Sequence, residues 1–337
     1  MYRVIIKKIG DLEDVEKRFI SENSKYFQSL DWADIGSKLG RDPEFILFYV
    51  EGELKNSWLF FTLDLHPPLF QYREMRLETE PVCYDGADAM LKFLVEHCKE
   101  KRYDNILFQT NMSNWTIGLN ACPLAFHIIE DFGTYIIDLS ENPDVIFKNM
   151  HKKHRNVIRK AAKLGYYVIE DKSDEALDDL FNLVNETYRR SKKFGYSKEY
   201  LKTILSSEYS RLFSCYSPDT ILTASALVIG DTNQAYYLHG GSIINSDGAS
   251  NLLHYDIIKK LKEYGYMKYD FGGVSYNPAE GSKAYGIKTF KSRFGGDFVH
   301  VYRGQIRINK TKTQLIASVR KAYNSSYYLK RVFYKVG

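Results

Sequence analysis

Two α/β units in tandem are predicted from three observations: an internal echo, a set of strands ahead of each copy, and a length that suits two cores. The echo is the most specific of them. Asp85-Gly86-Ala87 opens an amphipathic helix that runs to Lys99-Glu100 and leads into a strand over 105–109. Asp247-Gly248-Ala249 opens a second, which runs to Lys262-Glu263 and leads into a strand over 268–271, in the same register to within one residue. Strands rich in β-branched and aromatic residues precede each helix, over 44–50, 56–65 and 70–77 in the first half and over 211–216, 220–229 and 234–240 in the second. At 337 residues the chain can hold two domains of the usual ~100–200 residues. Residues 133–139 read as the strand opening the second half, 142–164 and 174–191 as helices, and the stretch after Lys310 as a late helix. The expected division is 1–132, 133–305, and a basic C-terminal helix in 306–337 that packs back on the first domain.

Composition excludes several classes. Hydrophobic residues make up 44% and charged residues 26%, as in a soluble globular protein, and Tyr 27 with Phe 20 suits aromatic-lined strands and clefts. No apolar run reaches the roughly 18–20 residues that span a bilayer, and Met1 to Lys7 is a short alternating strand without a signal-peptide core. A cytoplasmic location is expected. Cys83, Cys98, Cys122 and Cys215 are scattered with no C-x-x-C pair, so reduced cysteines and no cysteine-ligated zinc are expected. His151 and His154 are close together, but Lys148, Lys152, Lys153 and Arg155 around them oppose a metal cation, and the segment reads as a solvated helix face.

Charge is uneven along the chain. From Arg303 to Gly337 there are nine Lys or Arg and no acid, and from Val145 to Ile169 seven and no acid, in a chain whose net charge is only +5. Such blocks are either solvated helix faces or sites for an anionic partner such as RNA, polyphosphate or a membrane surface. Lys152, Lys153, Arg155 and Arg159 are the candidate contacts.

Familiar catalytic signatures are missing or misplaced. Asp270-Phe271-Gly272 matches a kinase tripeptide, yet His154-Arg155-Asn156 lacks the catalytic Asp, and no P-loop, G-x-S-x-G or H-E-x-x-H occurs. The run from Tyr236 to His254 is more informative, because a glycine-bearing loop that enters a helix offers free N–H groups and a positive dipole end to phosphate or a developing oxyanion. Acetyltransferases of the GNAT fold hold the coenzyme A pyrophosphate there with R/Q-x-x-G-x-G/A. Asn245 stands here where that motif is basic.

Several pieces in order resemble the Fem family of peptidoglycan-bridge aminoacyltransferases: Gln28-Ser29 with Trp32; Tyr135 to Leu139; Arg155 to Ala161; Thr187 with Arg190 and Phe194; Tyr237 to Ser242; Asp270 to Val274; and Gly286, Phe290-Lys291 and Phe294-Gly295-Gly296. The likeness runs from about Gln28 to Gly304 and is strongest from Gly133 onward. It implies two tandem GNAT-like domains with mixed, largely antiparallel sheets and flanking helices. It also implies transfer of an amino acid from aminoacyl-tRNA to an amine of a cell-wall precursor, with no cofactor or metal. By the same resemblance Phe290-Lys291 lies at the reaction centre, with Lys291 as the cation that stabilises the oxyanion. Lys38 and Arg190 would hold the acceptor's diphosphate, Tyr237 would line its cleft, and Asp270 and Gly272 would shape the strand end beside it. The plain alternatives are a solvated lysine, surface charges, a core tyrosine and a structural turn.

Gln109 stands where many members have an acid, so no general base is assigned. Expected partners are aminoacyl-tRNA, an anionic nucleotide- or lipid-linked precursor and the inner membrane face. The competing functions are an acyl-CoA-dependent N-acyltransferase of envelope polysaccharide synthesis and a non-catalytic GNAT-like binding protein.

Overall fold

The computed structural model describes every residue except 67–69, 80–85, 111–125, 192–194, 232, 245–246 and 326–337. Asp85, Cys83, Cys122, Phe194, Asn245 and the basic residues beyond 325 therefore lie outside the described residues. In chain order the elements are β1 (Tyr2–Lys8), α1 (Asp14–Asn23), α2 (Leu30–Lys38), β2 (Pro43–Val50), β3 (Glu53–Leu65), β4 (Tyr72–Leu77), α3 (Ala87–Glu100), β5 (Asn105–Thr110) and β6 (Phe126–Asp138). Then follow α4 (Pro143–Asn149), α5 (Lys152–Lys163), β7 (Tyr167–Glu170), α6 (Asp174–Arg190), α7 (Lys198–Leu205), β8 (Ser210–Tyr216), β9 (Leu222–Gly230), β10 (Gln234–Ser242) and α8 (Ala249–Glu263). The last are β11 (Lys268–Asp270), β12 (Val274–Ser275), α9 (Lys283–Ser292), β13 (Asp297–Arg307) and α10 (Lys310–Ser325). The chain divides into one unit of Met1–Glu130 with Tyr302–Gly337 and another of Asp131–Val301.

In the first unit β1 to β4 form an antiparallel meander, and β4 then pairs parallel with β5. A parallel neighbour needs a crossover, which α3 supplies. Met90, Leu91, Leu94 and Val95 of α3 pack on Ile46, Trp58, Phe60, Met75 and Ile106 of the sheet, all but excluded from water. The C-terminal half of β13 adds antiparallel to β5, from Tyr302 opposite Thr110 to Arg307 opposite Asn105. On α10, Ile316 is buried and the Thr313 hydroxyl donates to the Asp104 carbonyl at 3.1 Å.

The second unit repeats this plan. Strands β7, β8, β9 and β10 are antiparallel, α8 crosses over, β11 pairs parallel with β10, and β6 adds antiparallel to β11. Leu252, Leu253, Ile257 and Leu261 of α8 cover Phe213, Ala226, Val228 and Tyr269 on one face of that sheet. Gly86 and Gly248 begin α3 and α8 with φ of 83° and 92°, a left-handed start that glycine takes at no steric cost.

One expected helix, over 142–164, is two. Met150 and His151 are extended, and the α4 end is closed by the Arg155 guanidinium, which donates to the carbonyls of Lys148 (2.6 Å) and Met150 (2.5 Å). His151 caps α5, its Nδ1 accepting from Lys153 N–H at 3.2 Å. Cys98 and Cys215 are free thiols in the two cores. Among the described residues no helix is long and apolar enough to cross a membrane.

Candidate active site

Parallel β10 and β11 are in register only from Gln234 opposite Lys268 to Tyr236 opposite Asp270. Beyond that rung they part. On the β10 side a bulge shifts the register against β9 between Tyr237 and His239. Leu238 is the extra residue, so Tyr237 packs with the α8 core while His239 joins Tyr196 and Tyr200.

On the β11 side Asp270 holds the chain as it leaves the sheet. Its carboxylate accepts from the Gly272 N–H at 2.7 Å, from Gln234 Nε2 at 3.2 Å and from the Thr134 hydroxyl. Asp270 is buried and committed to this turn, which presents the Gly272 and Gly273 carbonyls to the fork.

Lys291, in the last turn of α9, reaches into that fork. Its Nζ donates to Gly272 O at 3.0 Å and to Gly273 O at 3.1 Å, and lies 5.7 Å from the centre of the Tyr237 ring. Burial brings its pKa down to about 8, opposed by the Asp270 carboxylate, which favours the ammonium. Lys291 is thus a half-buried, anchored ammonium rather than a solvated lysine.

Beneath it lies an aromatic and histidine floor. His254 Nδ1 is 2.9 Å from the Tyr269 hydroxyl, and its ring meets those of Tyr237 and Phe271 at centroid distances of 4.7 and 5.0 Å. Phe290 packs its ring on His154 and Phe294, at 5.3 and 5.2 Å. Burial lowers the pKa of His254 to about 3 and of His154 to about 4, so both rings are neutral at physiological pH. The Tyr237 phenol is pushed up by burial.

Lys291, Tyr237, Asp270 and Gly272 are therefore together at one fork. Arg190, exposed at the end of α6, donates to Ser242 O at 2.6 Å and to Thr187 Oγ1 at 3.0 Å, beside the β10 end. Lys38 is exposed on α2 of the first unit and pairs with Asp34 at 2.7 Å. Along α5, Lys152, Lys153 and Arg159 are exposed, whereas Arg155 is spent on the carbonyls of Lys148 and Met150. Arg159 lies over the Phe147 ring at 5.0 Å. His154, read from the sequence as part of a solvated face, is buried.

The first unit holds an acid that sequence reasoning missed. Glu78, just past β4, accepts from Trp32 Nε1 at 2.8 Å, and burial raises its carboxyl pKa against the pull of Arg41 and Arg76. Gln28 accepts from the Leu59 N–H at 2.7 Å and donates to Glu78 O at 2.6 Å, fixing that strand end. Trp32 and Glu78 are far apart in sequence, and nothing local marks them as partners.

Residues 148–291 match the acetyltransferase (GNAT) domain family. The chain is 32% identical over 114 residues to a lipid II:glycine glycyltransferase of Staphylococcus haemolyticus, covering 31% of this chain and 25% of that protein. To the protein of that name from Staphylococcus aureus (strain bovine RF122 / ET3-1) it is 24% identical over 193 residues, covering 55% and 41%. The chain thus spans about a quarter to two fifths of the length of these relatives. The crystal structure of FemX superposes with a TM-score of 0.75 at 17% identity, over 93% of this chain and 99% of that one. With the same strand–helix–strand plan present twice, the chain has the fold of FemX, and residues 148–291 of its second unit carry the match to the acetyltransferase (GNAT) domain.

Proposed function

We propose that the protein is an aminoacyltransferase that joins an amino acid, carried as an ester on tRNA, to an amine of an anionic peptidoglycan precursor, nucleotide- or lipid-linked. In this reaction the amine attacks the ester carbonyl, a C–N bond forms, the C–O bond to the tRNA breaks, and the amine's proton leaves with the departing hydroxyl. An ester is already activated, so the protein has chiefly to position the amine and stabilise the tetrahedral oxyanion. The observation that carries the reading is Lys291 at the fork of β10 and β11. Two of its three ammonium N–H groups are held by the Gly272 and Gly273 carbonyls, which leaves one to face an oxyanion. The names of the relatives matched by sequence point to the same chemistry.

The acyl-CoA alternative has less support. The GNAT fold uses the helix start after the β10-type strand for the coenzyme A pyrophosphate, and the described residues at that helix start are engaged within the protein. Val157 of α5 packs so closely on Gly248 that a Cβ there would lie 2.3 Å from its Cγ1, and Lys160 pairs with Asp247 at 2.9 Å. In the first unit the Phe48 ring crowds Gly86 in the same way.

For the tRNA, the exposed cations of α5 are the surface with the right charge. The double substitution Lys152→Glu and Lys153→Glu should weaken tRNA binding and flatten its salt dependence, since each phosphate contact contributes close to one unit to the log–log slope. Arg155 is left in place because it closes the α4 end. A gel-shift titration across salt, followed by mass spectrometry for amide product from aminoacyl-tRNA and a nucleotide-linked precursor, tests the reading. No tRNA binding by the wild type, or an equal slope in the variant, overturns the RNA assignment. Co-sedimentation with anionic liposomes then tests the membrane as the anionic partner.

A further inference from the structure

The last turn of α9 is docked on the start of α5 by two hydrogen bonds from different donors. The His151 backbone N–H donates to Arg293 O at 2.8 Å, and His154 Nε2 lies 3.0 Å from Phe290 O. A carbonyl oxygen can only accept, so this contact fixes His154 as the Nε2–H tautomer. The Phe290 carbonyl belongs to the end of a helix, where the last carbonyls have no intrahelical donor. His154 supplies one.

His154 is 4% exposed, and its ring is wedged edge-on against Phe294 at 4.7 Å, so it cannot swing away without opening the core. Lys291 follows Phe290 directly. We propose that His154 is the positioning residue of Lys291: by holding the Phe290 carbonyl it fixes the turn from which the lysine reaches the Gly272 and Gly273 carbonyls.

The ring acts through the backbone, by way of the Phe290 carbonyl one residue before Lys291. A neutral imidazole is the group for this task, because a cation there would repel the lysine it serves. Burial keeps the ring neutral, as the nearby Arg293 and His151 also favour. What sets the charge state of Lys291 is then the enclosure of its ammonium between the Tyr237 ring and the glycine carbonyls, opposed by the Asp270 carboxylate from β11. Enclosure holds only while the α9 turn stays docked.

The inference rests on the catalytic reading of Lys291 for its activity arm alone; its main test needs no substrate. In protein carrying 13C-labelled lysine, the Lys291 ε-methylene signal is identified by its loss in Lys291→Arg and titrated. The wild-type midpoint is expected near pH 8. His154→Leu, which keeps apolar volume but has no donor, should raise the midpoint by at least one unit as water reaches the ammonium. His154→Gln, whose amide N–H can reach the same carbonyl, should restore it. A purely structural role for His154 would lower thermal stability in both variants and leave the midpoint of the folded protein where it was. That result, or a midpoint equally shifted in the Gln and Leu variants, overturns the proposal. If His154→Leu does not fold, the Gln variant is compared with His154→Asn, whose shorter amide cannot span the gap, and an unshifted Asn midpoint overturns it. With substrates in hand, kcat should fall at least tenfold in the Leu variant at unchanged KM and recover in the Gln variant. Absence of activity in the wild type speaks against the proposed reaction and not against the clamp.

Discussion

Replacing Lys291 by methionine should make the protein more stable at neutral pH while removing the proposed transferase activity. The lysine is ionised at pH 7 although its pKa is about 8 in the folded protein against 10.5 for the free side chain. At 1.36 kcal/mol per pKa unit, keeping the ammonium charged in the fold costs on the order of 3 kcal/mol relative to a side chain that never ionises. Methionine matches the stem length and removes that cost. It also leaves the Gly273 carbonyl without its lysine donor, a loss of about 1–3 kcal/mol, while Gly272 O keeps a share of the Thr134 hydroxyl proton, at 3.1 Å, that Asp270 also accepts. The net expectation is a gain of about 1 kcal/mol, or about 2–4 °C in Tm. The sign has a pH signature. For a base whose pKa is depressed by folding, the unfolded chain binds more protons between the two values, so wild-type stability rises from about pH 8 to 10.5. The advantage of Lys291→Met should therefore shrink to zero within that window and reverse above it, where only the lost hydrogen bond remains. Urea unfolding of both proteins at pH 7, 9 and 10.5 measures this. A methionine variant that is less stable by more than ~1 kcal/mol at pH 7, or a difference independent of pH, refutes the picture of a costly buried ammonium.

Two further outcomes follow from the same geometry. Gly248→Ala meets both a φ of 92° and the Val157 methyl, so it should cost more than ~2 kcal/mol, whereas Gly165→Ala, with φ of 86° but its nearest atom at 3.3 Å, should cost only the ~1 kcal/mol of backbone strain; equal losses in urea unfolding would refute the close packing of α5 on α8. His154, His239 and His254 are held neutral, with pKa values of about 4, 4 and 3, so their contribution to stability is complete above the unfolded value near 6.5 and is lost as pH falls toward 4; a flat stability profile from pH 7 to 4 would contradict their burial.

The sequence reveals the repeat because the repeat is local. Gly86 and Gly248 each begin a helix in the left-handed region, and the apolar spacing after them needs no knowledge of the rest of the chain. The strands ahead of each helix are legible for the same reason. The site is less so, since its chemistry depends on what a side chain meets across the fold. The segment 142–164 has helical spacing throughout and neither Gly nor an interior Pro to break it, yet it divides at Met150 and His151. The break is made by tertiary partners: Arg155 takes up the carbonyls at the end of α4, and Arg293 O takes the His151 N–H. Seven basic residues in that stretch look alike as a charge block, but Arg155 turns inward to cap a helix while Lys152 and Lys153 face water. His154 lies between them with neither role, buried and bound to a carbonyl of α9. A charge count cannot separate a cation aimed at a ligand from one consumed by its own backbone. The same helix exposes Lys152, Lys153 and Arg159 to water and, through His154, hydrogen-bonds the turn that carries Lys291. A polyanion that shifted α5 would then also shift the last turn of α9, and substitutions on the exposed face that alter only charge should leave the Lys291 titration unmoved.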